Sequence, residues 1–344
     1  MKTIKTALVG YGFSAKTFHL PFLQTLEQFK VTAVSTSKPQ GLDEAAPDAK
    51  AYQAAEAMID RCDAELVIIT APNDAHFPLA KRALERGKHV VVDKPFVVRS
   101  QEGMTLIELA KQQGILLSVF HNRRWDGDFL TLKHLIASGR LGDIRVFNTQ
   151  FDRFRPVVRQ RWRELPGSGT GIWFDLGPHL VDQALQLFGM PEAVSARCPA
   201  LRAGGEVTDY FHVQLHYPQL EAVLRSSPFC AGPNLRFELQ GSCGSYRKFG
   251  LDPQESRLIA GLNPIEDDWA QETADAYGTL HTEEGSETIV TNCGGYQHYY
   301  HQLAGAIMGC APNPVPAEEA LAVMRIIEAA EISSRTGQMF APPA

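Results

Sequence analysis

Short apolar runs alternate with helical patterning through the first third of the chain. Ile4–Val9 is strand-like, and Val31–Ser35, Leu66–Thr70, His89–Asp93 and Leu116–Phe120 repeat its short, β-branched character. Between them, helical patterns cover Phe18–Phe29, Ala54–Arg61, Ala75–Arg86 and Gln101–Gln113. Gly87 and Gly114 close two of these, as glycine commonly does. Strands that are apolar throughout, separated by helices, predict a parallel sheet covered on both faces.

After Trp125 the rhythm changes. A helix is predicted over Asp128–Ser138, then alternating strands at Ile144–Phe154, Thr208–Tyr217, Ala222–Ser226, Leu235–Gln240 and Ser245–Phe249, with a helical pattern near Leu180–Phe188. This predicts a large open, mainly antiparallel sheet with helices on one face. Helices return at Tyr296–Met308 and, beyond Pro312, Pro314 and Pro316, at Glu318–Thr336. A length of 344 residues suits two domains. The expected division is an α/β domain with a doubly wound parallel sheet over 1–123 and an α+β domain over 124–344, with helix 318–336 able to pack back on the first.

Composition narrows the class. With 44% hydrophobic and 21% charged residues the chain is ordinary globular protein, which excludes a disordered one. A net charge of −6 argues against nucleic acid or an anionic membrane as partner. Cys62, Cys198, Cys230, Cys243, Cys293 and Cys310 form no C-x-x-C pair and no zinc-like spacing, so reduced thiols and no metal are expected. No apolar signal region follows Met1 and no apolar run approaches bilayer length, so a cytoplasmic protein is expected.

Gly10-Tyr11-Gly12-Phe13-Ser14-Ala15 follows the first strand and precedes a helix. The first glycine allows the tight turn and the second lets backbone N–H groups approach a pyrophosphate. The third position must be small so that helix and strand pack closely. In this context the pattern predicts a Rossmann dinucleotide site. The second strand ends in Ser35-Thr36-Ser37-Lys38 rather than an acidic residue. Hydroxyls and an ammonium suit a 2′-phosphate and favour NADP; Asp43 or Glu44 folding back would instead serve NAD. Thr70, Ala71, Pro72 and Asn73, after the third strand, are placed to line the dinucleotide. His76 is a further candidate contact, and helix capping by Asn73 or Asp74 is the alternative.

Asp93-Lys94-Pro95 follows the fourth strand and Asp175-Leu176-Gly177-Pro178-His179 opens a later helix. With the glycine turn, these resemble the signatures of the glucose–fructose oxidoreductase/inositol dehydrogenase family (Gfo/Idh/MocA), and the resemblance spans nearly the whole chain. His121-Asn122-Arg123-Arg124-Trp125-Asp126, Phe151-Asp152-Arg153-Phe154-Arg155-Pro156, Arg161-Trp162-Arg163-Glu164 and Asp209-Tyr210-Phe211-His212 are most similar to NADP-dependent scyllo-inositol dehydrogenases. Ala15 stands where many members carry glycine. Pro178 is a second variation, tolerated if it falls in a helix's first turn.

The resemblance implies hydride transfer between NADP(H) and a polyol or keto-sugar. Histidine, with a near-neutral pKa, suits the proton transfer that accompanies it, and His179 is the candidate acid/base. Asp175, four residues earlier, would orient it, bind a substrate hydroxyl, or cap the helix. Lys94, at the end of a parallel strand, would hydrogen-bond the reacting oxygen. Asp93, Pro95 and Asn122 are implied near the cofactor, with a cis bond often found before that proline. Arg124, Trp125, Asp152, Arg153, Arg155 and Trp162 are candidate substrate contacts. Arg153 and Arg155 belong to a stretch with Arg159, Arg161 and Arg163 that reads as a loop binding hydroxyls or as a rim of salt bridges. Two other activities stay open: an NAD-dependent glycoside hydrolase and a non-catalytic NADP-binding redox sensor. A homodimer or homotetramer is implied, and the clustered Tyr296, His298, Tyr299, Tyr300 and His301 read as core or interface.

Overall fold

The computed structural model describes residues 3–264 and 268–343. They form two compact units: Met1–Asn122 with Gln254–Ala270 and Gly295–Leu321, and Arg123–Pro253 with Gln271–Gly294 and Ala322–Ala344. The first unit thus takes in two segments that a linear division at residue 123 assigns to the second domain. No helix among the described residues is long and apolar enough to cross a membrane.

The first unit holds six strands: β1 (Ile4–Val9), β2 (Phe29–Ser35), β3 (Lys50–Tyr52), β4 (Leu66–Ile69), β5 (His89–Asp93) and β6 (Leu117–Phe120). Their order is β3-β2-β1-β4-β5-β6 and every pairing is parallel. All four side chains of β4 are buried, as a sheet covered on both faces demands, each contributing on the order of 2 kcal/mol. The helices are α1 (Leu20–Thr25), α2 (Leu42–Ala45), α3 (Ala55–Arg61), α4 (His76–Glu85) and α5 (Ser100–Gln113). Strand order reverses between β1 and β4, where open sheets of this kind take their ligands at the carboxyl ends.

The helix expected over 18–29 is shorter. A π-helical turn (Ala15–His19) leads into α1, Leu26 is already extended, and Phe29 pairs with Ile4 as the first residue of β2. Of the aromatic cluster near residue 300 the tyrosines are core, whereas His298 and His301 are exposed. Tyr296, Tyr299 and Tyr300 are fully buried; Tyr300 stacks on Phe22 at 5.8 Å, and Tyr299 meets Phe120 edge-on at 4.9 Å.

In the second unit α6 (Gly127–Ala137) leads to β7 (Ile144–Gln150), and α7 (Ile172–Phe188) to β8 (Ala193–Arg197), β9 (Phe211–His216) and β10 (Glu221–Ser226). Then come β11 (Leu235–Gly241), β12 (Ser245–Phe249), β13 (Gly278–Thr282) and β14 (Gly285–Ile289). The remaining helices are α8 (Gln254–Ile259) and α9 (Gln297–Ile307), both in the first unit, and α10 (Ala317–Thr336). The eight-stranded sheet runs β14-β13-β12-β11-β7-β10-β9-β8 and is antiparallel except for β7 beside β10. Phe147, Val213, Leu215, Leu224, Phe237 and Leu239 are fully buried. The alternate positions are polar and bridge neighbouring strands: Asn148 to Glu238 (2.7 Å), Arg225 to Gln150 (2.6 Å) and Gln214 to Glu221 (2.8 Å).

One histidine sits between two strand ends in the first unit, and its single N–H in the neutral form can donate to only one of the two carbonyls it faces. His76, 1% exposed, sets Nδ1 2.8 Å from the Pro95 carbonyl beyond β5 and Nε2 3.0 Å from the Ala71 carbonyl beyond β4. Burial pushes its pKa below the ordinary histidine value, outweighing the Asp93 charge and the two carbonyls, which favour the cation. As pH falls below about 6.5 the unfolded chain takes up this proton before the folded one, so stability is lost on acidification and kept above that pH. His76→Gln should therefore reduce the fall in unfolding free energy between pH 7 and 5, by up to about 1.4 kcal/mol per pH unit. An unchanged slope in calorimetry would refute this.

Candidate active site

The turn after β1 is built as its chemistry requires. Gly10 has φ +92°, and a Cβ there would lie 2.8 Å from Thr70 Oγ1 and 3.3 Å from the Thr70 carbonyl, so only glycine fits. Its N–H donates to the Ser35 carbonyl at 3.0 Å, joining the ends of β1 and β2. Around Gly12, by contrast, a Cβ would meet nothing within 4 Å. That open ground beside the backbone is what a dinucleotide phosphate needs. Ala15 is fully buried, which accounts for the small residue there. Phe13 is 60% exposed, an apolar side chain left at the mouth of the turn.

Tyr11 donates its hydroxyl to the Gly41 carbonyl at 2.8 Å and carries the Lys16 ammonium 4.2 Å above its ring, bracing the segment after β2 against the turn. In that segment Ser35 is buried, the Lys38 N–H donates to Thr36 Oγ1 at 3.0 Å, and Ser37 and Lys38 are exposed. Asp43 and Glu44 lie on α2, also exposed. After β4, Thr70 donates its hydroxyl to the Val9 carbonyl at 2.8 Å, Pro72 precedes a 3₁₀ turn, and Asn73 is buried. The sequence reading offered His76 as a cofactor contact; both of its nitrogens instead face backbone carbonyls.

Asp93 has a structural use that the sequence did not reveal. Ser14 donates to Asp93 Oδ2 at 2.5 Å, His19 Nε2 lies 3.1 Å from Oδ1, and the Tyr300 hydroxyl lies 2.6 Å from His19 Nδ1. Burial alone would raise the Asp93 pKa, but the His19 charge and the hydrogen bonds from His19 and Ser14 hold it below the usual carboxylate range. The next peptide, Lys94–Pro95, is cis, and Lys94 is half-buried. Asn122 is buried at the start of a 3₁₀ turn after β6. The glycine turn, the exposed donors after β2 and the strand ends at Thr70 and Lys94 fit a nicotinamide dinucleotide.

Within the second unit, α7 carries the later pair of candidate residues. Gly171, φ +86°, packs on Thr208, and the Ile172 N–H donates to the Thr208 carbonyl at 2.7 Å, fixing where the helix begins. Asp175 therefore lies in the first turn, where the helix dipole favours a carboxylate, and its ion pair runs to Arg163 at 3.5 Å. His179 follows one turn later, 6% exposed. Pro178 stands inside the helix rather than in its first turn as the sequence suggested, so the Phe174 carbonyl lacks the usual backbone donor. Gly177 makes room there, since a Cβ would lie 2.5 Å from the Trp173 ring.

The candidate substrate contacts divide. Arg124 forms a buried two-toothed pair with Asp182, at 2.6 and 2.9 Å. Asp152 is equally committed, to Arg225 at 2.7 Å and the Ser227 N–H at 2.8 Å. Both fasten structure. Arg153, its guanidinium 4.8 Å from the Phe151 ring, and Arg155 are partly exposed beside Asp175. Trp125 is partly exposed in the turn beginning at Asn122, and Trp162 is exposed with the Arg163 guanidinium 4.4 Å from its ring.

Known proteins share this sequence pattern and fold. Residues 4–121 match the oxidoreductase family's NAD-binding Rossmann fold, and residues 133–341 its C-terminal alpha/beta domain. The chain is 46% identical to the uncharacterized oxidoreductase YdgJ of Escherichia coli, over 94% of each chain. It is 42% identical to the scyllo-inositol 2-dehydrogenase (NADP(+)) IolW of Bacillus subtilis, over 97% of this chain and 94% of that one. Among solved structures, yvaA of Bacillus subtilis superposes with a TM-score of 0.95 at 40% identity, over 99% of this chain and 98% of that one. An oxidoreductase from Bacillus cereus gives 0.89 at 30% identity, over 99% of both. With a glycine turn, a parallel six-stranded sheet and a second, mostly antiparallel one, the chain belongs to the Gfo/Idh/MocA family of oxidoreductases and is an NAD(P)-dependent dehydrogenase.

Proposed function

We propose that this dehydrogenase interconverts a secondary alcohol of a polyol and the corresponding keto-sugar, scyllo-inositol and scyllo-inosose being the first pair to test, with NADP preferred. The observation that carries the reading is the placement of Lys94 directly after the carboxylate that holds the glycine turn. When bound, the nicotinamide supplies the hydride acceptor or donor. Lys94 binds the reacting oxygen and stabilises charge developing on it. His179 takes the hydroxyl proton in one direction and returns it in the other, with Asp175 as its helix-face neighbour. Similarity to IolW, whose name specifies NADP(+), supports the polyol and the cofactor.

Lys94→Ala and His179→Ala should each lower kcat about 10²–10⁴-fold while cofactor binding, read by nicotinamide fluorescence, stays within a few-fold. A purified protein that turns over no inosose, ketose or aldose with NADPH would refute the substrate class.

NADP preference rests on the exposed Ser37 and Lys38 and on the lack of a carboxylate in Ser35–Lys38. Lys38→Ala should raise KM for NADPH about tenfold and leave KM for NADH nearly unchanged; equal effects on both would remove Lys38 from phosphate recognition. The same reading makes the protein a cytoplasmic homodimer or homotetramer joined through the polar face of the eight-stranded sheet. Light scattering should give two or four chain masses, and a monomer alone would contradict it.

A further inference from the structure

The helical segment that follows the glycine turn opens on an uncommon element. Ala15–His19 is a π-helical turn, closed by the Leu20 N–H donating to the Ala15 carbonyl five residues back. Ser14, just before it, already has helical angles, φ −60° and ψ −49°. In an α-helix, at 3.6 residues per turn, side chains five apart point about 140° away from each other. A turn bonded from i to i+5 brings them back to one side. Ser14 and His19 are such a pair, and both reach Asp93. The serine hydroxyl donates to Oδ2 at 2.5 Å, and the imidazole Nε2 lies 3.1 Å from Oδ1. The wider turn lets one short segment hold both oxygens of one carboxylate.

The imidazole is itself held on both sides. The His19 side chain has no exposure, its Nδ1 lies 2.6 Å from the Tyr300 hydroxyl, and its ring lies 4.4 Å from that of Phe120. In the neutral ring Nε2–H donates to the carboxylate and Nδ1 accepts the tyrosine proton; in the imidazolium both nitrogens donate, the second to the phenol oxygen. In either state the Tyr300 hydroxyl keeps the ring turned so that Nε2–H points at Asp93. Around that carboxylate stand His19, Ser14 and the more distant charge of His76, with Lys94 next in the chain.

A carboxylate, an imidazole and a phenol are costly groups to bury, and apolar residues would fill the same space more cheaply. What the relay adds is direction. Gly12 and Phe13 directly precede Ser14, and the ground beside Gly12 is open. The backbone N–H groups there bind a pyrophosphate well only if they are aimed before it arrives, because ordering them on binding costs affinity. A serine tied to a fixed carboxylate supplies that order.

We infer that His19 and Tyr300 are positioning residues of the dinucleotide site, acting through Asp93 and Ser14 to hold the glycine turn in its binding shape. The inference rests on a nicotinamide dinucleotide at that turn and not on the polyol reading, so it stands whichever alcohol the dehydrogenase takes.

Dissociation constants for NADPH and NADH are measured on the full chain by nicotinamide fluorescence, beside the melting temperature without nucleotide. Ser14→Ala and Tyr300→Phe should each weaken both nucleotides about 3–10-fold and to the same extent, the worth of one hydrogen bond, since the pyrophosphate is common to them. Ser14→Thr, which keeps the hydroxyl, should stay within about twofold. His19→Gln should add a pH dependence. Burial pushes the Asp93 pKa up while the His19 charge and hydrogen bond bring it down, so without the imidazole the carboxylate takes up its proton at a higher pH. Between pH 8 and 5 that variant should lose at least about threefold more affinity than the native chain. Unchanged affinities in folded Ser14→Ala and Tyr300→Phe, whatever their melting temperatures, overturn the inference and leave the network as a brace of the fold. A loss in Ser14→Ala alone removes His19 and Tyr300 from it, and a loss confined to NADPH moves the effect to the 2′-phosphate; either overturns it too. A pH profile parallel to the native one does the same, and should His19→Gln not fold, Tyr300→Phe decides.

Discussion

A largely buried carboxylate at the end of β5 sets much of the first unit's chemistry. Removing a charge from water costs several kcal/mol unless it is paired and hydrogen-bonded. Asp93 meets that demand by accepting from Ser14, in the turn after β1, and by facing His19, itself in contact with the Tyr300 hydroxyl. Residues almost three hundred positions apart in sequence are thereby gathered around one acid. The peptide that follows it carries Lys94. The group that anchors the dinucleotide turn is therefore also the one that places the ammonium, and neither can shift without disturbing the other.

In the second unit buried ion pairs play the comparable part. Arg236, almost fully buried, donates to Thr149 at 2.8 Å and to Gln183 at 2.6 Å, joining β11 to β7 and α7. Arg124 grips Asp182 on the same helix, and Lys248 meets Glu272 at 2.8 Å with no side-chain exposure at the lysine. Breaking one partner of such a pair typically costs about 3–5 kcal/mol, because the other charge is left buried and uncompensated. The helix that bears His179 is therefore fixed by polar contacts of strict geometry, and not by apolar packing alone.

Much of the fold was legible because burial leaves its mark on sequence. Strands covered on both faces must be apolar throughout, so β1, β4, β5 and β6 declared themselves, and the glycine turn could be placed after the first. Exposed elements leave no such mark: β14 has four exposed residues of five, and β3 is a three-residue edge. The helical pattern read near Leu180–Phe188 belongs to an α7 that already begins at Ile172, with Gly177 and Pro178 inside it; Thr208 and Trp173 leave no room for a Cβ at Gly171 and Gly177. The candidate site was legible where local spacing carries the chemistry, as in Gly10–Ala15, and not where a partner lies far along the chain. Arg124 and Asp152 resembled substrate contacts, yet their partners stand 58 and 73 residues away.

The one parallel pairing within the eight-stranded sheet, β7 beside β10, has a consequence for how such a protein can change. Two parallel neighbours cannot be joined by a tight hairpin, so a long excursion must leave the sheet and come back. Here that excursion contains the arginine-bearing segment, α7 and the β8 and β9 strands. Its ends are pinned by ladder hydrogen bonds while its outer stretch, from Arg153 to Thr170, lies in no strand of the sheet. New side chains can accumulate there without altering strand register, so this stretch can vary in sequence while the ladders on either side of it keep their pairing.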